Sequence, residues 1–279
     1  MTRNDLYQQI LQKKSYLCVG LDSDYSKIPA HLLNLSDPVF EFNRSIIDAT
    51  ASYTVAYKPN LAFYESRGVE GLISLKKTVD YCHENYPDIF LIADAKRGDI
   101  GNTAEMYAKS IFEYFGFDSV TLSPYMGKDS IEPFLKYTDK WVIVLALTSN
   151  PGAFDFQLIK NAETGRQLFE DVLYTSASWG TPDNTMFVVG ATKSSFFTQV
   201  RQIVPDHFLL VPGVGAQGGS LEDISLSAMN SQVGLLVNSS RGILFASKGE
   251  DFASKAAREA QKMQSEMSHW LDLVHKRPV

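Results

Sequence analysis

Cysteine is scarce in this chain. Among 279 residues there are two, Cys18 and Cys82, and neither falls in a Cys-x-x-Cys or other metal-type spacing. That reads as two reduced thiols in a cytosolic protein rather than a disulfide framework. Long apolar runs are missing too, since none approaches the roughly 20 residues needed to cross a bilayer. The N-terminus lacks the apolar core and cleavage site of a signal peptide. It predicts instead an amphipathic helix with Leu6, Ile10 and Leu11 on one face. These absences together predict a cytoplasmic protein. Positive charge is not in excess: the formal net charge is -6, which argues against a general nucleic-acid binder. A small anionic ligand stays possible, given a local cationic or amide-lined pocket. No Pro/Ser-rich linker, composition shift, low-complexity tract or short repeat divides the chain.

Eight short apolar, β-rich runs are present, at residues 16–21, 53–57, 89–93, 119–122, 141–147, 186–189, 207–211 and 233–237. Helical periodicity lies between them. Ser36-Asp37-Pro38 predicts a cap followed by proline at the first helical position, ahead of an apolar stripe of Phe40, Ile46 and Ile47. Leu72, Leu75, Val79 and Cys82 form a second stripe. Asn102 or Thr103 can cap a helix carrying Met106, Tyr107, Ile111 and Phe115. Further helices are predicted over 163–179, 195–204, 221–229 and 252–274, and the 45-residue step from Trp141 to Met186 has room for one more. Strands that alternate with helices and are almost continuously apolar predict a (β/α)8 TIM barrel. Residues 1–279 would form one domain, with an N-terminal helix and a long C-terminal helix. An open, doubly wound sheet is the alternative.

Polar residues or glycines close nearly every run. Asp22, Lys58, Asp94 with Lys96, Ser123, Thr148-Ser149, Gly190-Ala191-Thr192, the glycine-rich stretch Gly213 to Gly219 and Asn238-Ser239-Ser240-Arg241 follow the runs in order. In a barrel these ends converge on one face, where active sites form. Asp94 and Lys96 are two positions apart at a strand end, so they should project together. Asp99 lies just beyond. An ammonium flanked by carboxylates stays protonated, which suits a proton donor or carbanion stabiliser better than a base.

The stretch from Gly213 to Gly219 holds four glycines in seven residues, and Arg241 opens a short helical segment at 242–247. Backbone amides in such a loop, a helix N-terminus, the Gln217 amide and the Arg241 guanidinium suit a phosphate. A tight structural turn with a surface arginine is the plainer reading of the same residues. So are a snorkelling Lys58, an Asp22 that merely caps, and a structural Asp94–Lys96 ion pair. Arg97 reads as solvated or paired. The five histidines, His31, His83, His207, His269 and His275, all avoid the C-terminal strand ends. That removes the usual general base and most zinc sites, and no GxSxG elbow is present. Magnesium could use Asp22 and Asp94, although Lys58 would oppose a cation there.

These residues resemble the orotidine 5'-phosphate decarboxylase family, in its long bacterial branch. The DxKxxD signature stands as Asp94-Ala95-Lys96-Arg97-Gly98-Asp99. The resemblance runs from Val19-Gly20-Leu21-Asp22 through Tyr57-Lys58-Pro59-Asn60 and Thr148-Ser149-Asn150-Pro151-Gly152 to Val211–Gly219 and Asn238–Arg241. It implies conversion of orotidine 5'-phosphate to UMP and carbon dioxide in de novo pyrimidine biosynthesis, without cofactor or metal. It further implies that Lys96 stabilises and protonates the C6 carbanion, with Asp94 beside the substrate carboxylate. Lys58 and Asp22 would bind the ribose. Ser149 would bridge the pyrimidine and Gln217, while Gln217, Arg241 and the amide of Ser240 would grip phosphate. It implies a homodimer in which Asp99 and Thr103 reach into the partner's site. Ser123, Lys128, Thr192 and Lys193 receive no role. Two rivals stay open: a magnesium-dependent sugar-phosphate lyase of the same superfamily, which carries glutamate where Lys58 stands, and a non-catalytic nucleotide-binding barrel.

Overall fold

The computed structural model describes residues 1–190, 194–214 and 219–275. Helix α1 (Arg3–Lys13) starts at a capping box, in which the Thr2 hydroxyl accepts the Asp5 N–H and the Asp5 carboxylate accepts the Thr2 N–H. Strand β1 (Leu17–Gly20) follows, then α2 (Pro38–Thr50), β2 (Ala56–Lys58), α3 (Ala62–Glu65), α4 (Gly68–Asn85) and β3 (Phe90–Arg97). Next come α5 (Gly101–Lys109), β4 (Ser119–Leu122), α6 (Glu132–Leu135), β5 (Trp141–Leu147), α7 (Ala153–Phe156), α8 (Leu168–Ser176) and β6 (Thr185–Val189). The chain continues through α9 (Ser194–Ile203), β7 (Phe208–Pro212), α10 (Leu221–Ala228), β8 (Leu235–Ser239), α11 (Arg241–Leu244) and α12 (Phe252–Trp270).

The eight strands pair in parallel and in sequence order, and β8 closes on β1 through Leu17–Val237, Cys18–Asn238 and Val19–Ser239. The fold is therefore a closed TIM barrel. β1, β4 and β6 are buried at every position, as strands covered on both sides require. Tyrosines tie barrel to helices: the Tyr16 hydroxyl meets Ser225 of α10 at 2.6 Å, and the Tyr57 hydroxyl donates to the Ile47 carbonyl of α2 at 3.0 Å. Phe42 of α2 stacks on Phe252 of α12 with centroids 5.2 Å apart. At the N-terminal end of the barrel the half-buried Arg201 guanidinium donates to the carbonyls of Val204, His207, Ala228 and Gly234, joining the turns that lead into β7 and β8. Burial lowers its pKa to about 9. Among the described residues no helix is long and apolar enough to cross a membrane.

Several local expectations differ from the structure. Asp37 and Pro38 do start α2, with the Asp37 carboxylate accepting the Phe40 N–H, but Phe40 is half-buried and the stripe runs through Val39, Phe42, Ile46 and Ile47. Leu11 and Met106 are exposed, because helical phase carries them off the packed faces. Neither Asn102 nor Thr103 caps α5, whose N-cap is Ile100. Residues 160–167 form a turn bridged by Lys160 and Gln167 rather than the start of a helix, and a Gln167–Glu170 capping box delays α8 to Leu168. The long β5–β6 connection does carry an additional short helix, α7.

Candidate active site

The strand ends gather one charged centre. Lys58 closes β2, and its ammonium donates to Asp94 Oδ2 at 2.7 Å while only 4% exposed. The other carboxylate oxygen of Asp94 accepts from the Lys96 ammonium and, at 3.1 Å, from the Thr121 hydroxyl. Burial alone would raise the Asp94 carboxyl, but the Lys58 and Lys96 ammoniums outweigh it and bring its pKa down to about 2. Burial pushes Lys58 down, whereas Asp94 and then Asp22 push it up, and the net direction is up. The centre is thus an ionised carboxylate between two cations.

Regular strand alternation does not make the Asp94–Lys96 pair. Ala93 aligns with Val120 and Arg97 with Leu122, so Asp94, Ala95 and Lys96 bulge out opposite Thr121 alone. Lys96 has φ +47°, a left-handed conformation costing a residue with a Cβ roughly 1–2 kcal/mol. The bulge turns its side chain back to Asp94 and leaves it half exposed at the barrel mouth. The Lys96 N–H, drawn out of the ladder, donates to Thr121 Oγ1 at 2.9 Å. In the sequence Thr121 falls inside the apolar run 119–122 and carries no site signature of its own. Its one visible signal was a hydroxyl at a position between Val120 and Leu122.

A cavity of about 740 Å³ is lined by Asp22, Lys58, Asp94, Ser240 and Arg241, within the size range of small-molecule sites. Asp22 Oδ1 is buried and has no hydrogen-bond partner among the described residues. Gly213 and Val214, at the start of the glycine-rich loop, line the same cavity, and Gly213 has φ +96°. Val214 pairs with Gly219 across the loop base. Gln217 lies outside the described residues, as do Thr192 and Lys193. The short helix after β8 begins at Arg241 and ends at Leu244, earlier than the expected 242–247. Ser240 is seated by two neighbours. Asn238 donates to its hydroxyl at 3.3 Å, and Gly20 leaves it space, since a Cβ there would stand 1.9 Å from Ser240 Oγ.

The remaining candidates stand apart from this cavity. Ser149 is half-buried beyond β5, packed so close to Gly190 that a Cβ on the glycine would stand 2.6 Å from the Ser149 nitrogen. Asp99 and Thr103 are exposed at the head of α5, where Asp99 accepts the Ile100 N–H at 2.8 Å. Arg97 is paired with Glu65 and lies over the Tyr107 ring at 5.1 Å. Ser123 packs against Gly98, and Lys128 pairs with Glu132 on the surface. Among the described residues no group of three or more His, Cys, Asp or Glu side chains could hold a metal ion.

A barrel that gathers an ion-paired lysine, an arginine and the base of a glycine-rich loop around one cavity is an enzyme scaffold suited to a small phosphorylated substrate. The orotidine 5'-phosphate decarboxylase / HUMPS family model matches residues 15–256. Orotidine 5'-phosphate decarboxylase from Flavobacterium johnsoniae is 61% identical over 98% of this chain and 99% of its own length. The Phocaeicola vulgatus protein of the same name is 60% identical over 96% of this chain and 98% of its own. OMP decarboxylase from Leishmania donovani superposes with a TM-score of 0.78 at 35% identity, covering 95% of this chain and 100% of that one. The chain belongs to the orotidine 5'-phosphate decarboxylase / HUMPS family.

Proposed function

We propose that this chain converts orotidine 5'-phosphate to UMP and carbon dioxide in pyrimidine biosynthesis, as a cytoplasmic homodimeric carboxy-lyase needing no cofactor, with residues 1–279 acting as one barrel domain. The observation that carries the reading is the Asp94 carboxylate held between the Lys58 and Lys96 ammoniums, with Asp94 and Lys58 lining the cavity that Arg241 also lines. A cation already neutralised by its own carboxylate would not hold the departing carboxylate tightly, yet it stands ready for the negative charge left behind. As the C6–carboxylate bond breaks, its electron pair stays on C6 and carbon dioxide leaves. Lys96 stabilises the carbanion and delivers a proton to C6, then regains one from solvent.

The other side chains bind and orient. Asp22 Oδ1, buried and unpartnered among the described residues, accepts a ribose hydroxyl, and Lys58 completes that contact. Arg241, the Ser240 amide and Gln217 take the phosphate. Ser149 links Gln217 to the pyrimidine. Phosphate binding far from C6 supplies energy for positioning the reacting atoms. Asp99 and Thr103 complete the neighbouring protomer's site. Their exposure at the head of α5, beside the exposed apolar side chains of Ile100 and Met106, is what a surface covered by a second copy would display.

The deciding experiment follows the loss of orotidine 5'-phosphate absorbance with excess EDTA present. Full activity is expected. Activity that requires added magnesium would point to a sugar-phosphate lyase mechanism, and tight UMP binding without turnover would make the chain a nucleotide-binding barrel.

A further inference from the structure

We propose that Thr121 is a positioning residue for the decarboxylation, its hydroxyl locking the Lys96 backbone and the Asp94 carboxylate into one unit. The inference rests on the reading of Lys96 as the proton donor. Three residues of β3, Asp94, Ala95 and Lys96, face Thr121 alone on β4. A bulge of that size strands backbone groups that the ladder would otherwise satisfy. One of them is the N–H of Lys96, in a left-handed conformation at φ +47°.

Thr121 answers both demands with one oxygen. It accepts the Lys96 N–H at 2.9 Å and donates to Asp94 Oδ1 at 3.1 Å, the oxygen that also takes the Lys96 ammonium. Backbone N–H, hydroxyl, carboxylate and ammonium therefore form a closed ring that begins and ends on Lys96. Thr121 is 1% exposed, so no solvent molecule can take over its hydroxyl without rearrangement. The second oxygen of Asp94 is tied to Lys58. Without the Thr121 hydroxyl, Asp94 could still neutralise Lys96, but the N–H of the left-handed residue from which the ammonium reaches would lose its acceptor. Misplacing a reacting group by about 1 Å costs on the order of a hundredfold in rate. A residue that only packed the barrel would not discriminate in this way between the chemical step and binding.

The test compares Thr121→Val, isosteric and lacking the hydroxyl, with Thr121→Ser, which keeps it. Thr121→Val is expected to lower kcat by roughly a hundredfold while the UMP Kd stays within about threefold, and Thr121→Ser to keep kcat within about threefold of the parent. Hydrogen exchange at the Lys96 amide gives a readout independent of turnover. Its protection should fall at least about tenfold in the valine variant and persist in the serine variant. If the parent chain proves inactive while this amide pattern holds, the functional reading fails and the structural lock stands. Unchanged kcat with unchanged Lys96 protection in Thr121→Val overturns the proposal. So does a serine variant as impaired as the valine one, or a loss of UMP affinity that matches the loss of kcat. Should Thr121→Val not fold, Thr121→Cys places a weaker donor and acceptor at the same point. It is then expected to lose at least about tenfold in kcat at unchanged UMP affinity, and full activity would overturn the proposal.

Discussion

Lys96 projects from a backbone conformation that few lysines adopt, and the cost is met by bonds on both sides of it. Lys96→Ala is expected to lower kcat by at least about 10³-fold, because on the proposed mechanism it would remove both the charge at C6 and its proton source. Calorimetry should find UMP still bound through Arg241. A variant with appreciable turnover would exclude Lys96 as donor. Titration separates this centre from the rest of the molecule. Asp94 has its pKa depressed from 3.8 to about 2, so the stability it lends is present above the ordinary carboxylate value and is lost as pH falls from there through about 2. Acid sensitivity at milder pH must arise elsewhere, and His207 is the residue placed for it. Its ring is buried, both nitrogens lack partners among the described residues, and burial, then Arg3 and Arg201, hold its pKa down to about 4. The unfolded chain takes up a proton near pH 6.5 that the folded ring refuses, so stability falls as pH drops from 6.5 toward 4. His207→Leu should shrink the difference in urea-unfolding free energy between pH 7.5 and pH 5 by about 2 kcal/mol. An unchanged difference would show that other groups set the acid limb.

The junction of β1 with β8 shows how one element serves another's chemistry. Gly20 has no side chain, and Ser240 occupies the space a Cβ would need. Gly20→Ala should therefore push Ser240 and the adjoining Arg241 out of the proposed phosphate grip. UMP affinity is expected to fall about tenfold while uridine binding is unaffected, since the cost falls on one charge-assisted contact. Equal losses for both ligands would place the damage in the ribose or base region. Element by element, the sequence was informative wherever hydrophobic pattern and backbone agreed. Residues 119–122 and 141–147 are strands at the expected boundaries. It misled where an apolar residue served a turn: Val233 is buried and β-branched, yet has φ +65° and pairs with Asn230, so β8 starts at Leu235. It fell short at β3, which runs on through Lys96 and Arg97 because a bulge lets charged residues stay in the strand. The strand-end charges were legible because each is costly to place beside a core. Thr121 was not, because a threonine in a strand is ordinary and its importance comes from a bulge in the neighbouring strand.

At the scale of the molecule, the barrel divides its work between its ends. Arg201 and His207 sit at the N-terminal end, and the charged centre and Arg241 at the other. If Asp99 serves the neighbouring protomer and Lys96 its own, two dead variants should revive one another. Mixing Lys96→Ala and Asp99→Asn after dissociation and reassociation is expected to restore about a quarter of wild-type activity, because half the dimers are mixed and each has one intact site. No recovery would place both residues in the same protomer's site. The closed hydrogen-bond ladder bears on how such pairs can form. With β8 bonded to β1, the barrel among the described residues has no unpaired strand along which another chain could add itself. Self-association of this barrel is thus left to its helices and loops rather than to strand pairing, a language that point substitutions can edit one word at a time.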